Sequence, residues 1–153
     1  MLDQTPLDVV PRVRGSRPSQ LTSQDFVFGV FDSSYEAEYG ASAESFSFAA
    51  HSYDAAWVSM LGSAWALLEE GEVSGRGIAR GARQLSRGEP TDFSPSKWNG
   101  VLQAFREGES INARGTSGEL DYAPDTEETS APIDIWSLSL DDEGKPALVV
   151  DSR

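Results

Sequence analysis

A chain of 153 residues has room for one compact domain, and an apolar share of 39% with four Trp and seven Phe can build its core. A formal charge of −13 argues against nucleic acid and anionic membrane surfaces as partners, because binding phosphates takes a Lys/Arg surface that this sequence does not supply. With no cysteine, disulfide frameworks, thiolate metal sites and cysteine nucleophiles are excluded together, and no apolar run reaches the length of a membrane span.

Met1 to Gln20 holds three prolines and reads as an extended lead-in, with Leu7, Val9, Val10 and Val13 able to form a short strand that Pro18 and Ser19 end. It has neither the basic start nor the apolar core of an export signal, so any such signal is expected outside this sequence. From Thr22 the period becomes helical. Ser23 can cap a helix carrying Phe26, Val27, Val30, Phe31, Tyr35 and Tyr39, Gly40 sits where a left-handed C-cap is wanted, and Asp25, Asp32 and Glu36 are expected in water.

Ser45-Phe-Ser-Phe-Ala-Ala-His51 leads into the strongest helical pattern, Ser52 to about Glu70, with Tyr53, Trp57, Met60, Leu61, Ala64, Trp65 and Leu68 in a broad apolar stripe that should be buried. After Gly71 a shorter helix is expected over Ser74 to Ser86, weakened by Gly77 and Gly81. Ser94-Pro95 starts another, with Trp98, Val101, Leu102 and Phe105 on one face and Gly108 at its end. Beyond it the period shortens: Ile111 to Arg114, Glu119 to Tyr122, Ile133 to Leu138 and Ala147 to Val150 are strand candidates, with Asp141 to Gly144 as a hairpin turn between the last two. Helices first and strands last give an α/β reading in which three to four helices accompany a small mixed sheet in a single domain.

Three stretches in order resemble the C-terminal region of type I periplasmic binding proteins, the family of the leucine/isoleucine/valine-binding proteins. They are Val13-Arg-Gly-Ser-Arg-Pro18 with the Phe26 to Tyr39 helix and its Tyr-Gly ending; Ser45-Phe-Ser-Phe-Ala-Ala-His-Ser-Tyr-Asp-Ala-Ala-Trp57; and Ile111-Asn-Ala-Arg-Gly-Thr-Ser-Gly-Glu-Leu-Asp-Tyr122 followed by Ala131-Pro-Ile-Asp-Ile-Trp136. The resemblance implies the C-terminal portion of a type I periplasmic-binding-protein fold. It also implies the non-enzymatic solute-binding subunit of a bacterial ABC importer, with an amino acid as the usual solute and a membrane permease as partner. A periplasmic or extracellular location follows, membrane-anchored in some full-length members, with no cofactor or metal. A complete member is more than twice this long, so either a missing N-terminal part or a homodimer is expected to complete the core.

In the family the start of the long helix faces the ligand cleft, which makes Ser52, Tyr53 and Asp54 the candidate ligand contacts. Each has a blander reading: Ser52 as a helix cap, Tyr53 as core, and Asp54 as an acid favoured by the helix dipole. His51 reads as a helix-start histidine with one satisfied nitrogen, since adjacent Ser52, His51 and Asp54 project differently and lack a Gly-x-Ser-x-Gly elbow. The acidic run Asp121 to Glu128 and Asp141-Asp-Glu-Gly144 do not match a calcium loop, and Gly75 to Gly81 does not match a phosphate loop. Two alternatives from other classes remain: a protein-interaction or ligand-sensing module with Trp57, Trp65 and Trp98 exposed, and an acidic hydrolase with paired, shifted carboxylates.

Overall fold

A computed structural model describes residues 8–19, 21–22, 24–123, 125–126, 128–129 and 131–151. Leu7, Ser23 and Glu127, which figure in the expectations above, lie outside the described residues. Among the described residues the architecture is mixed α/β with four helices and two small sheets, one antiparallel and one parallel, where the sequence suggests a single mixed sheet. The chain divides into two compact units, because strands near its two ends pair with each other while the intervening residues build their own core.

The first unit comprises described residues 8–19 and 132–151. The expected lead-in strand is displaced: Pro11 lacks a ladder N–H and starts a 3-10 turn, Val10–Arg12, and the strand β1 follows it at Arg14–Pro18. β1 runs antiparallel to β4 (Ile133–Leu140), with Gly15 opposite Trp136, and β4 pairs antiparallel with β5 (Pro146–Asp151). Gly15 is required there, since a Cβ would stand 2.6 Å from the Trp136 indole that lies over it. The β4–β5 hairpin forms where the turn residues placed it. Asp141 Oδ1 accepts from the N–H groups of Glu143 (2.9 Å) and Lys145 (2.8 Å), and Gly144 takes φ +74°. Val10 and Leu138 are the buried apolar side chains of this unit.

The second unit comprises described residues between positions 21 and 131. Its first helix, α1 (Phe26–Tyr39), ends at Gly40 with φ +74°, as the sequence indicated, and Asp25 caps its start by accepting from the N–H groups of Val27 and Phe28. The buried stripe is rotated from the expected one. Phe28 is fully buried while Phe26 is 73% exposed, and Asp32 is buried rather than wet, accepting from Ala43 N–H (2.6 Å) and Ser42 Oγ–H (2.9 Å). These bonds tie α1 to the 3-10 turn Ala43–Ser45 and so fix the connector to the next helix.

Helix α2 (Ala49–Glu70) starts three residues before the expected Ser52 and stops at Gly71 in the left-handed region. Helix α3 (Gly75–Ala82) is capped by Ser74 Oγ on Gly77 N–H and passes into a 3-10 turn at Arg83–Leu85. The two glycines that weaken α3 on propensity are where it meets α2: a Cβ at Gly81 would fall 2.6 Å from Gly62 O. From the last turn of α3, Arg80 Nε donates to Glu70 Oε1 at the end of α2 at 2.6 Å.

A β-α-β unit completes the fold. Strand β2 (Glu89–Asp92) pairs in parallel with β3 (Ile111–Arg114), and α4 (Trp98–Arg106) crosses between them after a 3-10 turn begun by Pro95. Glu119 to Tyr122 forms only isolated bridges, with Arg114 and Thr129, and is no strand. The main core gathers Trp57 and Leu61 of α2, Val101 and Phe105 of α4, Ile111 and Ala113 of β3, with Leu85 and Phe93. Full burial of a side chain such as Phe105 or Leu61 contributes about 1.5–3 kcal/mol.

Candidate functional site

The three candidate ligand residues sit on successive positions of α2 and therefore point in three directions. Because the helix begins at Ala49, Ser52 is not its cap: it lies in the first turn, its backbone N–H donates to Phe48 O at 2.9 Å, and its side chain is exposed. Tyr53 is half-buried, its ring 4.7 Å from that of Phe31 and 6.2 Å from that of Trp57. Asp54 stands in the second turn, beyond reach of the first-turn dipole effect, and is buried at 3% exposure.

Asp54 is a clasp. Oδ1 accepts from Thr116 N–H at 2.8 Å and lies 3.0 Å from Thr116 Oγ1, and Oδ2 accepts from Ser117 N–H at 2.7 Å and Ser117 Oγ–H at 2.6 Å. The Thr116 hydroxyl has a single proton for two acceptors, since Ala50 O is also 3.1 Å away. Two amides and the Ser117 hydroxyl, with the Thr116 hydroxyl shared, therefore engage the Asp54 carboxylate from within the chain. Gly115 makes the approach possible, because a Cβ there would occupy the space of the carboxylate. The loop itself closes through Gly115 N–H on Gly118 O at 2.8 Å, with Gly118 at φ +130°. An acid within an apolar stripe and a Gly-Thr-Ser-Gly run rich in small donors were the sequence signals for this pairing, 62 positions apart.

Ser52 and Tyr53 share a different environment. Together with α1 and the connector they line an open groove of about 830 Å³, whose other walls include Phe31, Tyr35, Phe46 and Phe48. Its rings touch in series: Tyr35 meets Tyr39 at 4.6 Å and Phe46 at 5.9 Å between centroids. A second cavity of about 710 Å³ lies beside α3, lined by Ala82, Arg83, Ser86, Arg87 and Tyr122. His51 lies in the first turn of α2 with its Nδ1 buried and without a hydrogen-bond partner, and its ring stands edge-on to Phe48 at 6.2 Å.

Trp57 is buried and stacks on Phe93 at 5.4 Å with Trp98 at 5.8 Å, while Trp65 and Trp98 are half-buried, packed against the same core with part of each ring exposed. Glu70 is held below its ordinary 4.5, chiefly by the hydrogen bond from Arg80. That direction predicts a pH dependence. The stabilisation from Glu70 is present above 4.5 and is lost as pH falls through the lower folded value, so the difference in urea midpoint between wild type and Glu70→Gln should be largest near neutrality and vanish in acid. Equal differences at both ends would show that the pair is uncoupled from folding. Arg114 is likewise raised by its hydrogen bond to Asp92 at 2.9 Å, a bridge that ties the ends of β2 and β3.

Among the described residues no group of three or more His, Asp or Glu is placed to hold a metal ion, and no helix is long and apolar enough to cross a membrane. No family model, curated protein or solved structure matches the chain.

Proposed function

We propose that the chain is the C-terminal part of a solute-binding protein that serves a bacterial ABC importer from the periplasmic or extracellular side, with an amino acid as solute. The observation that carries the reading is the Asp54 clasp. Asp54 belongs to the second stretch that resembles type I periplasmic binding proteins and Thr116 and Ser117 to the third, and the two stretches meet through buried hydrogen bonds across 62 positions. The α-helical layer over a parallel β-α-β unit is also the kind of piece from which doubly wound lobes are assembled.

In this reading Asp54 is a positioning residue that holds the Gly115–Gly118 loop against α2, while Ser52 and Tyr53 are the ligand contacts. The remainder of the cleft comes from chain outside these residues, and the permease recognises the closed, liganded form. Thermal unfolding across a panel of amino acids tests it. A ligand at a hundred times its dissociation constant stabilises by about 2.7 kcal/mol, so at least one amino acid should raise the midpoint by several degrees. A flat panel would remove the transport reading.

A further inference from the structure

We propose that the groove between α1 and the start of α2 binds a small organic cation of the quaternary-ammonium class. Its walls carry six aromatic rings: Phe31, Tyr35 and Tyr39 from α1, Phe46 and Phe48 from the connector, and Tyr53 from α2. Aromatic faces present negative potential, and a cation within about 6 Å of a ring centroid is attracted to it, more strongly when desolvated. Phe46 at 48%, Phe48 at 59% and Tyr39 at 69% exposure leave ring surface open to a ligand.

The two helices that form the groove, with their connector, carry charge of one sign only. From Pro18 to Gly75 the sequence holds no Lys and no Arg but nine Asp and Glu, so every formal charge on both helices and their connector is negative. The lining itself is uncharged, and Glu38, exposed on α1 at i+7 from Phe31 and i+3 from Tyr35, is an acid adjoining two of its rings along the helix. The hydroxyl groups in the walls match the same partner. Ser34 Oγ–H donates to Val30 O at 3.0 Å, which leaves that oxygen to accept and not to donate. Rings, acids and acceptor oxygens favour a cation with apolar substituents over an anion or a neutral apolar molecule. The inference does not rest on the transport reading: a flat amino-acid panel would remove that reading and leave this one standing.

The test is calorimetric titration of the whole chain with choline and with 3,3-dimethylbutan-1-ol, its neutral carbon isostere. Choline is expected to bind saturably and roughly ten-fold more tightly than the isostere. Tyr35→Phe should keep that affinity, whereas Tyr35→Leu should weaken it roughly ten-fold, with urea unfolding used to verify the fold. Tyr39→Leu, at an exposed ring, supplies a second variant with little bearing on stability and an expected loss of roughly three-fold. Absence of saturable choline binding overturns the proposal, as does equal affinity for the isostere. Unchanged affinity in the folded leucine variants would place any choline elsewhere and overturn it as well.

Discussion

Asp54→Ala is expected to destabilise the unit spanning 21–131 by about 3 kcal/mol and to lower its melting midpoint by more than about 10 °C. The argument is one of unmet donors. The substitution removes both acceptors of the Thr116 and Ser117 amides, and a buried donor left without a partner costs about 1–3 kcal/mol, far more than the net gain from making an average hydrogen bond. Asp54→Asn should cost less, about 1–2 kcal/mol, because its carbonyl oxygen can serve one of the two amides while its NH2 faces donors on the other side. Ser117→Ala removes only a hydroxyl, from a half-buried residue, and should cost about 1 kcal/mol. Combining it with Asp54→Ala should add almost nothing, since the bond is already gone. Hydrogen exchange supplies the local readout: the amides of Thr116 and Ser117 should be protected in the wild type and released in Asp54→Ala. A stability change below about 0.5 kcal/mol would mean that water replaces the carboxylate without loss, and the clasp would have no structural role.

Local chemistry made much of the fold readable. The end of α1 at Gly40, the end of α2 at Gly71 and the β4–β5 turn at Asp141–Gly144 each depend on residues adjacent in sequence, so their signals lie side by side. What escaped depends on distant partners. Glu89-Pro-Thr-Asp92 has no strand-like alternation, and it is a strand only because β3, whose Ile111 and Ala113 are buried, pairs with it. α2 was read as starting at Ser52 because Phe48, its actual N-cap, offers no side-chain bond to mark the boundary. The candidate site divides in the same way. Tyr53 could be placed at an aromatic face from helical spacing alone, but Asp54 looked like a first-turn acid since its four partners come from a loop more than sixty positions away.

The glycines of α3 set helix propensity against packing, and the same substitution at two sites should give opposite signs. Gly→Ala in an exposed helix interior relieves backbone entropy and stabilises by up to about 1 kcal/mol. Gly100, in the first turn of α4, has the same freedom to gain: it is exposed, and nothing lies within 4 Å of where its Cβ would be. Gly100→Ala should therefore raise the urea midpoint. At Gly81 the added methyl would come within 2.6 Å of Gly62 O, 2.9 Å of Gly62 Cα and 3.0 Å of Trp65 Cβ. Two of these are main-chain atoms of α2, so no rotamer change can make room and the helices must part. Such overpacking costs about 1–3 kcal/mol, which exceeds the propensity gain, and Gly81→Val should be worse because a branched side chain enlarges the collision. Gly62→Ala meets Ile78 O at 2.8 Å from the other side of the contact and should cost a similar amount. Separation of α3 would also draw Arg80 away from Glu70, so the acid-dependent part of the stability should shrink together with the midpoint. If Gly81→Ala raised the midpoint as Gly100→Ala does, the close approach of α2 and α3 would be wrong, and α3 would have to pack elsewhere.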